Sequence, residues 1–114
     1  MSHPVVYFEI GCKDKAKTSA FYRDVFNWKT DDRGAADHIN TGSTEGIQGH
    51  ITALGHEPHN FLNFYIQTPD LAASLKKVAE HGGKTIVPPV DVGNGTFAWF
   101  ADIEGTIVGL WTPK

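Results

Sequence analysis

The sequence has little of what marks secreted, membrane or nucleic-acid-binding proteins. Its single cysteine, Cys12, cannot form an internal disulfide, which is typical of a reducing compartment. No apolar run reaches the roughly 18 residues of a membrane span, and the first residues lack a signal-peptide pattern. Lysines and arginines are scattered apart from "KDKAK" at 13–17, and the net charge is −3. We therefore expect a cytoplasmic protein that binds neither membrane nor nucleic acid.

What is present is typical of one small globular domain, with 40% hydrophobic and 20% charged residues over 114 positions. Alternation in "VVYFEI" at 5–10 predicts a strand that turns Tyr7 and Glu9 to one face. The same alternation in "FLNFYIQ" at 61–67 predicts a second strand, whose corresponding face carries Asn63, Tyr65 and Gln67.

A helix signal follows each of these two strands. Asp14 and Asp70 stand where a helix N-cap would accept hydrogen bonds from the next turn. Spacings of three and four residues then predict an apolar helix face, which in the first helix includes Phe21, Tyr22 and Val25. Three further strands are predicted after each helix, divided by turn-rich segments.

The sequence pattern therefore indicates an internal repeat of two βαβββ units. We predict a first unit at 1–54, a linker "GHEPHN" at 55–60 and a second unit at 61–114. A shift of 56 residues lays Tyr7 on Asn63, and a shift of 60 lays Gly49 of "EGIQGHI" on Gly109 of "EGTIVGLW". A repeat of this length indicates paired units sharing one core, here about a pseudo-twofold axis.

The repeated βαβββ pattern, "FYRDVF" after the first strand, "GGK" after the second helix and the final "ADIEGTIVGLW" together resemble the vicinal oxygen chelate superfamily. Its members include glyoxalase I, bleomycin-resistance proteins, fosfomycin-resistance enzymes and extradiol dioxygenases. The resemblance implies an α+β fold in which a mixed sheet curls around a cavity and the helices lie outside.

The resemblance also implies where a metal would bind. Enzymes of this superfamily hold a divalent ion with His and Glu or Gln from the first and last strand of each unit. Carried onto this sequence, those positions are Tyr7, Gly49, Asn63 and Gly109. Because a site for zinc, nickel or manganese needs converging imidazoles and carboxylates, we predict no metal and no other cofactor.

The two strand glycines leave two interpretations open. Gly49 and Gly109 could enlarge a ligand cavity, or they could only let neighbouring backbones pack closely. On the first interpretation, aromatic walls with a few polar anchors would suit a flat or apolar organic ligand. The predicted ligand-binding residues are Tyr7, Glu9, Gly49, Asn63, Tyr65, Gln67, Trp99, Gly109 and Trp111.

Two functions follow from this site. The first is a metal-free protein of the glyoxalase/bleomycin-resistance type that binds a small apolar or aromatic molecule. The alternative is a glyoxalase-like lyase or isomerase acting on a small carbonyl compound, with Glu9 as general base or unusual metal ligand. We also expect a homodimer, because the sheet edges favour pairing.

Overall fold

The fold was obtained as a computed structural model that describes residues 2–55 and 57–114. Two helices and eight strands follow one another in these residues, and the α+β class with two βαβββ units is confirmed. His56, in the predicted linker 55–60, lies outside the described residues. The elements are β1 (Val5–Gly11), α1 (Lys15–Phe26), β2 (Lys29–Asp32), β3 (Ala36–Asn40), β4 (Gln48–Thr52), β5 (Phe61–Gln67), α2 (Leu71–Glu80), β6 (Lys84–Asp91), β7 (Gly95–Ala101) and β8 (Ile107–Pro113).

Two compact units make up the chain. The N-terminal unit comprises residues 7–62, and the C-terminal unit comprises residues 63–114 together with 2–6. No helix among the described residues is both long enough and apolar enough to cross a membrane.

In the N-terminal unit the strands lie in the order β2-β3-β4-β1, with β1 parallel to β4 and the other neighbours antiparallel. Asp14 caps α1 as expected, since its carboxylate accepts a hydrogen bond from the Lys17 N–H at 3.1 Å. The core beneath α1 is built on Cys12, Ile39 and Ile51. This core covers one face of the sheet.

The predicted apolar face of α1 is wrong in part. Phe21 and Val25 are 57% and 54% exposed, and the fully buried residue of the helix is Ser19. The Ser19 hydroxyl donates to the Asp37 carboxylate of β3 at 2.5 Å, and the Lys15 ammonium lies 3.1 Å from the same carboxylate. A polar contact therefore joins α1 to the sheet at a point where sequence periodicity predicts an apolar one.

In the C-terminal unit the order is β5-β8-β7-β6, with β5 parallel to β8 and the other neighbours antiparallel. Asp70 caps α2 by accepting from the Ala73 N–H at 3.0 Å. The core between α2 and the sheet contains Leu71, Leu75, Ala98 and Leu110, with Ile66 and Phe100 packed against it.

The outer strand of this sheet, β6, is irregular. Its register against β7 shifts between Thr85 and Val87 and again between Val87 and Val90. Pro88 and Pro89 fall within the second shift, where two backbone N–H groups are missing. Strands with prolines and bulges of this kind are tolerated at a sheet edge.

Candidate functional site

The face of the N-terminal sheet opposite α1 carries a buried carboxylate. Register pairs Glu9 of β1 with His50 of β4, and paired residues project from the same face. His50 Nε2 lies 2.9 Å from Glu9 Oε2, and the Thr52 hydroxyl donates to the same oxygen at 3.1 Å. Glu9 is only 4% exposed, so this carboxylate is held in one orientation by two neighbouring side chains.

Tyr7 and His38 extend this face on either side of His50. The rings of Tyr7 and His50 meet edge to face with centroids 6.4 Å apart, and the rings of His38 and His50 stack at 6.3 Å. The result is a polar and aromatic surface that carries one carboxylate and two imidazoles.

The pKa of His38 is held below its ordinary value. Burial lowers this pKa most, the positive charges of Arg33 and His50 lower it further, and Asp31 opposes them. His38 also lines a cleft of about 270 Å³ at the β2–β3 hairpin, together with Asp31 and Arg33. The neutral imidazole is therefore the favoured form of His38.

The structure corrects the predicted position of Gly49. A Cβ at Gly49 would overlap the carbonyl oxygen and ring of Phe8, and Phe8 packs in the core beneath α1. Gly49 thus lies on the helix-covered face, away from Tyr7 and Glu9. His50, the next residue of β4, lies on the opposite face and is the hydrogen-bonding partner of Glu9.

The error has a simple source in the sequence. Gly49 is the fourth residue after Glu45, whereas Gly109 is the fifth residue after Glu104. A change of one residue in a strand moves a side chain to the opposite face. Counting the two segments from their acidic-glycine turns would therefore have placed His50, and not Gly49, in the position that corresponds to Gly109.

On the C-terminal sheet, the face opposite α2 is aromatic. Gly109 of β8 pairs with Tyr65 on one side and with Trp99 on the other. The Tyr65 ring occupies the space that a Cβ at Gly109 would need. Trp99 Nε1 donates to the Tyr65 hydroxyl at 2.8 Å, and Phe97 meets the Tyr65 ring edge to face with centroids 6.3 Å apart.

Trp111 and Gln67 lie on the same face, paired across β5 and β8. The Trp111 ring packs against Gly95, where a Cβ would overlap it. Tyr65, Trp99 and Trp111 are each less than 10% exposed. We call these three residues and Phe97 the aromatic cluster.

Asn63 stands two residues before Tyr65 on β5 and therefore on the same face. Its side chain is buried, with 5% of the residue exposed. Neither Oδ1 nor Nδ2 has a hydrogen-bond partner among the described residues. Gln67 is half-buried, and its backbone N–H donates to the Pro4 carbonyl at 2.8 Å. Asn63 is thus the unsatisfied polar group beside the aromatic cluster.

The side chains present do not fit a divalent metal site. Glu9 and His50 are potential ligands in the N-terminal unit but are bonded to each other, while the corresponding positions of the C-terminal unit are Tyr65 and Gly109. Within residues 2–55 and 57–114, no group of three or more His, Cys, Asp and Glu side chains could hold an ion. Such ions normally need three or four converging ligands.

Two βαβββ units, each with a helix on one sheet face and a distinctive set of side chains on the other, define the class of protein. The profile of the Glyoxalase/Bleomycin resistance protein/Dioxygenase superfamily matches residues 4–109. The chain therefore belongs to this superfamily, as the sequence resemblance predicted.

Relatives identified by sequence are named as follows. The chain is 26% identical to the putative glyoxylase CFP32 of Mycobacterium tuberculosis, with 92% of this chain and 44% of that protein aligned. It is 30% identical to the anthracycline biosynthesis protein DnrV of Streptomyces peucetius, with 92% and 45% aligned. The chain thus spans less than half the length of these two relatives. A glyoxylase-like domain-containing protein of Didymella fabae is 27% identical, with 91% and 89% aligned.

Solved structures share the fold at low identity. Methylmalonyl-CoA epimerase from Mycobacterium tuberculosis superposes with a TM-score of 0.73 at 11% identity, covering 96% of this chain and 87% of the epimerase. A superfamily member from Vibrio splendidus 12B01 gives 0.65 at 15% identity, covering 99% and 100%. At these identities the likeness establishes the fold alone.

Proposed function

We propose that the protein binds a small apolar or aromatic organic molecule at the aromatic cluster, without a resident metal. The observation that carries the proposal is the set of buried rings on the sheet face opposite α2, where Trp99 fixes the orientation of Tyr65 by a hydrogen bond. Aromatic walls with few hydrogen-bonding groups suit such ligands. The name of DnrV, which refers to anthracyclines, a class of planar aromatic compounds, is in keeping with this ligand class.

A titration of 1-naphthol into the protein, followed by isothermal titration calorimetry, tests the proposal. We expect saturable binding at about one molecule per chain, and Trp111→Ala should weaken it at least about tenfold, because a large apolar contact is lost. Phe26→Ala is the matched control, since Phe26 is an aromatic residue of α1 that is 56% exposed. Failure of naphthol to bind, or equal weakening by both substitutions, would contradict the proposal.

A second function, proton transfer, is favoured by a separate observation. Glu9 is buried and bonded to His50 and Thr52, so it is positioned as a general base for a carbon acid next to a carbonyl group. Under this alternative the protein is a glyoxalase-like lyase or isomerase. Deuterium exchange into small carbonyl compounds, followed by proton NMR, should depend on the protein and disappear in Glu9→Gln. Exchange that persists in the variant would eliminate Glu9 as the base.

The cellular setting belongs to the same proposal. We also propose that the protein is cytoplasmic and forms a homodimer. Its proposed binding partner is the small organic ligand. Native mass spectrometry of protein purified without added metal or chelator reports subunit number, bound metal and bound organic mass together. A monomer would contradict the dimer, and one metal per chain would contradict metal-free binding.

A further inference from the structure

Burial of the Asn63 side chain without hydrogen bonds to the described residues has a free-energy cost that the fold alone does not explain. Nearly all buried side-chain polar atoms have hydrogen-bond partners, and each exception needs a specific explanation. Here both polar atoms of one carboxamide lack a partner among the described residues, although only 5% of the residue is exposed. A leucine of similar size would avoid this cost, so the presence of a carboxamide at this position needs an explanation.

The chemistry of a carboxamide limits what can satisfy it. Asn63 offers one acceptor, Oδ1, and donors on Nδ2, side by side in one plane. A ligand with an N–H next to a C=O in its own plane bonds to both atoms at once. A carboxylate offers only acceptors and would leave Oδ1 facing another oxygen. A pure hydrocarbon would leave both atoms unsatisfied.

The location of Asn63 adds the second requirement. Asn63 lies on the same strand face as Tyr65, whose hydroxyl already accepts the Trp99 N–H. The Asn63 carboxamide, by contrast, has no hydrogen-bond partner among the described residues. A planar ring stacked on the aromatic cluster would present its edge to this carboxamide.

We propose that the ligand class is a planar aromatic ring system with a lactam or imide edge, which Asn63 recognises by two hydrogen bonds. This inference rests on the proposed binding function and narrows it from aromatic molecules in general to neutral heterocycles with adjacent N–H and C=O groups. Aromatic carboxylates and hydrocarbons of the same size are excluded from tight binding.

Two commercially available probes of the same shape test the inference. 2-Quinolinone carries the lactam N–H next to its carbonyl, and coumarin replaces that N–H with a ring oxygen. With calorimetry on the intact chain, we expect 2-quinolinone to bind at least about tenfold more tightly than coumarin, because coumarin cannot donate to Oδ1.

Asn63→Leu provides the matched variant. It removes the carboxamide at similar volume, so the preference for 2-quinolinone should fall to near unity while coumarin still binds. Equal affinities in the unaltered protein, or a preference that survives in Asn63→Leu, would overturn the lactam inference and leave aromatic binding intact. If coumarin, 2-quinolinone and 1-naphthol all fail to bind, both the proposed function and this inference fall.

A second measurement does not depend on a stable variant. The side-chain NH₂ signals of Asn63 in a ¹H–¹⁵N spectrum should shift on addition of 2-quinolinone and should shift much less with coumarin at equal saturation. Signals that respond equally to both probes would also overturn the inference.

Discussion

The two units have the same strand pairings, but the surface that these pairings present is ionisable in the N-terminal unit and aromatic in the C-terminal unit. In the N-terminal unit, Glu9 pairs with His50, and His50 pairs with His38. In the C-terminal unit, the same three places hold Tyr65, Gly109 and Trp99. In each unit a hydrogen bond joins two of these three residues. It joins the Glu9 carboxylate to the His50 imidazole at 2.9 Å and the Trp99 indole to the Tyr65 phenol at 2.8 Å.

The glycine at position 109 is required by the position of the Tyr65 ring. In the N-terminal unit a carboxylate and an imidazole share the space across the strand pair. In the C-terminal unit the phenol ring fills that space alone, which requires a residue without Cβ opposite it. Of the two interpretations of the glycine, the structure therefore favours close packing at Gly109, with a side chain and not a backbone as the neighbour.

Gly49→Ala should be the most destabilising substitution, by about 3 kcal/mol, because the added Cβ meets the carbonyl oxygen of Phe8, which cannot move without disturbing the β1–β4 ladder. Urea denaturation followed by circular dichroism measures the loss. Removing the ring with Phe8→Ala should give no rescue, and rescue would show that the side chain, not the backbone, is the obstacle.

Gly109→Ala should cost about 2 kcal/mol, because its obstacle is the Tyr65 ring, which has more freedom to move. The distinguishing test is a double-mutant cycle in the same urea assay. With Tyr65→Ala already present, Gly109→Ala should cost little, giving a coupling of about 1 to 2 kcal/mol. Additive effects would disprove the link between the tyrosine and the glycine.

Trp99→Phe should cost about 1 kcal/mol, because it keeps a ring on β7 but removes the N–H that the Tyr65 hydroxyl accepts. Thermal unfolding of this variant, of Tyr65→Phe and of the pair separates the hydrogen bond from ring packing. If the two single losses simply add, the indole–phenol hydrogen bond contributes nothing of its own.

The smallest effect concerns pH and the N-terminal unit. Since the folded state lowers the pKa of His38 below about 6.5, the unfolded chain binds more protons between the lowered pKa and that value. Stability should therefore rise with pH across this window and stop rising above it. Urea midpoints measured from pH 5 to 7.5 should show a shallower rise in His38→Gln, and an unchanged rise would assign the effect to another group.

Local features of the fold could be predicted from the sequence. Alternation located β1 and β5, and Asp14 and Asp70 cap their helices as expected. These features depend on residues close together in the chain, so a short window contains their physical cause.

What could not be predicted depends on pairing between distant residues. The Glu9–His50 contact joins positions 41 apart. The face on which His50 lies depends on a one-residue difference in the spacing that follows two similar turns. The Ser19–Asp37 contact likewise buries a polar group of α1 where periodicity favours Phe21 and Val25. No sequence pattern indicates that the Asn63 side chain lacks hydrogen-bond partners among the residues that the structure describes, because this requires knowing every neighbour.

The irregular edge strand β6 has a consequence for how copies of this protein can associate. Its two prolines and shifted register interrupt the row of N–H groups that another strand would need as a template. Addition of a further strand to this edge is therefore disfavoured. We therefore expect self-association to use another surface, and aggregation at high protein concentration not to start at this edge.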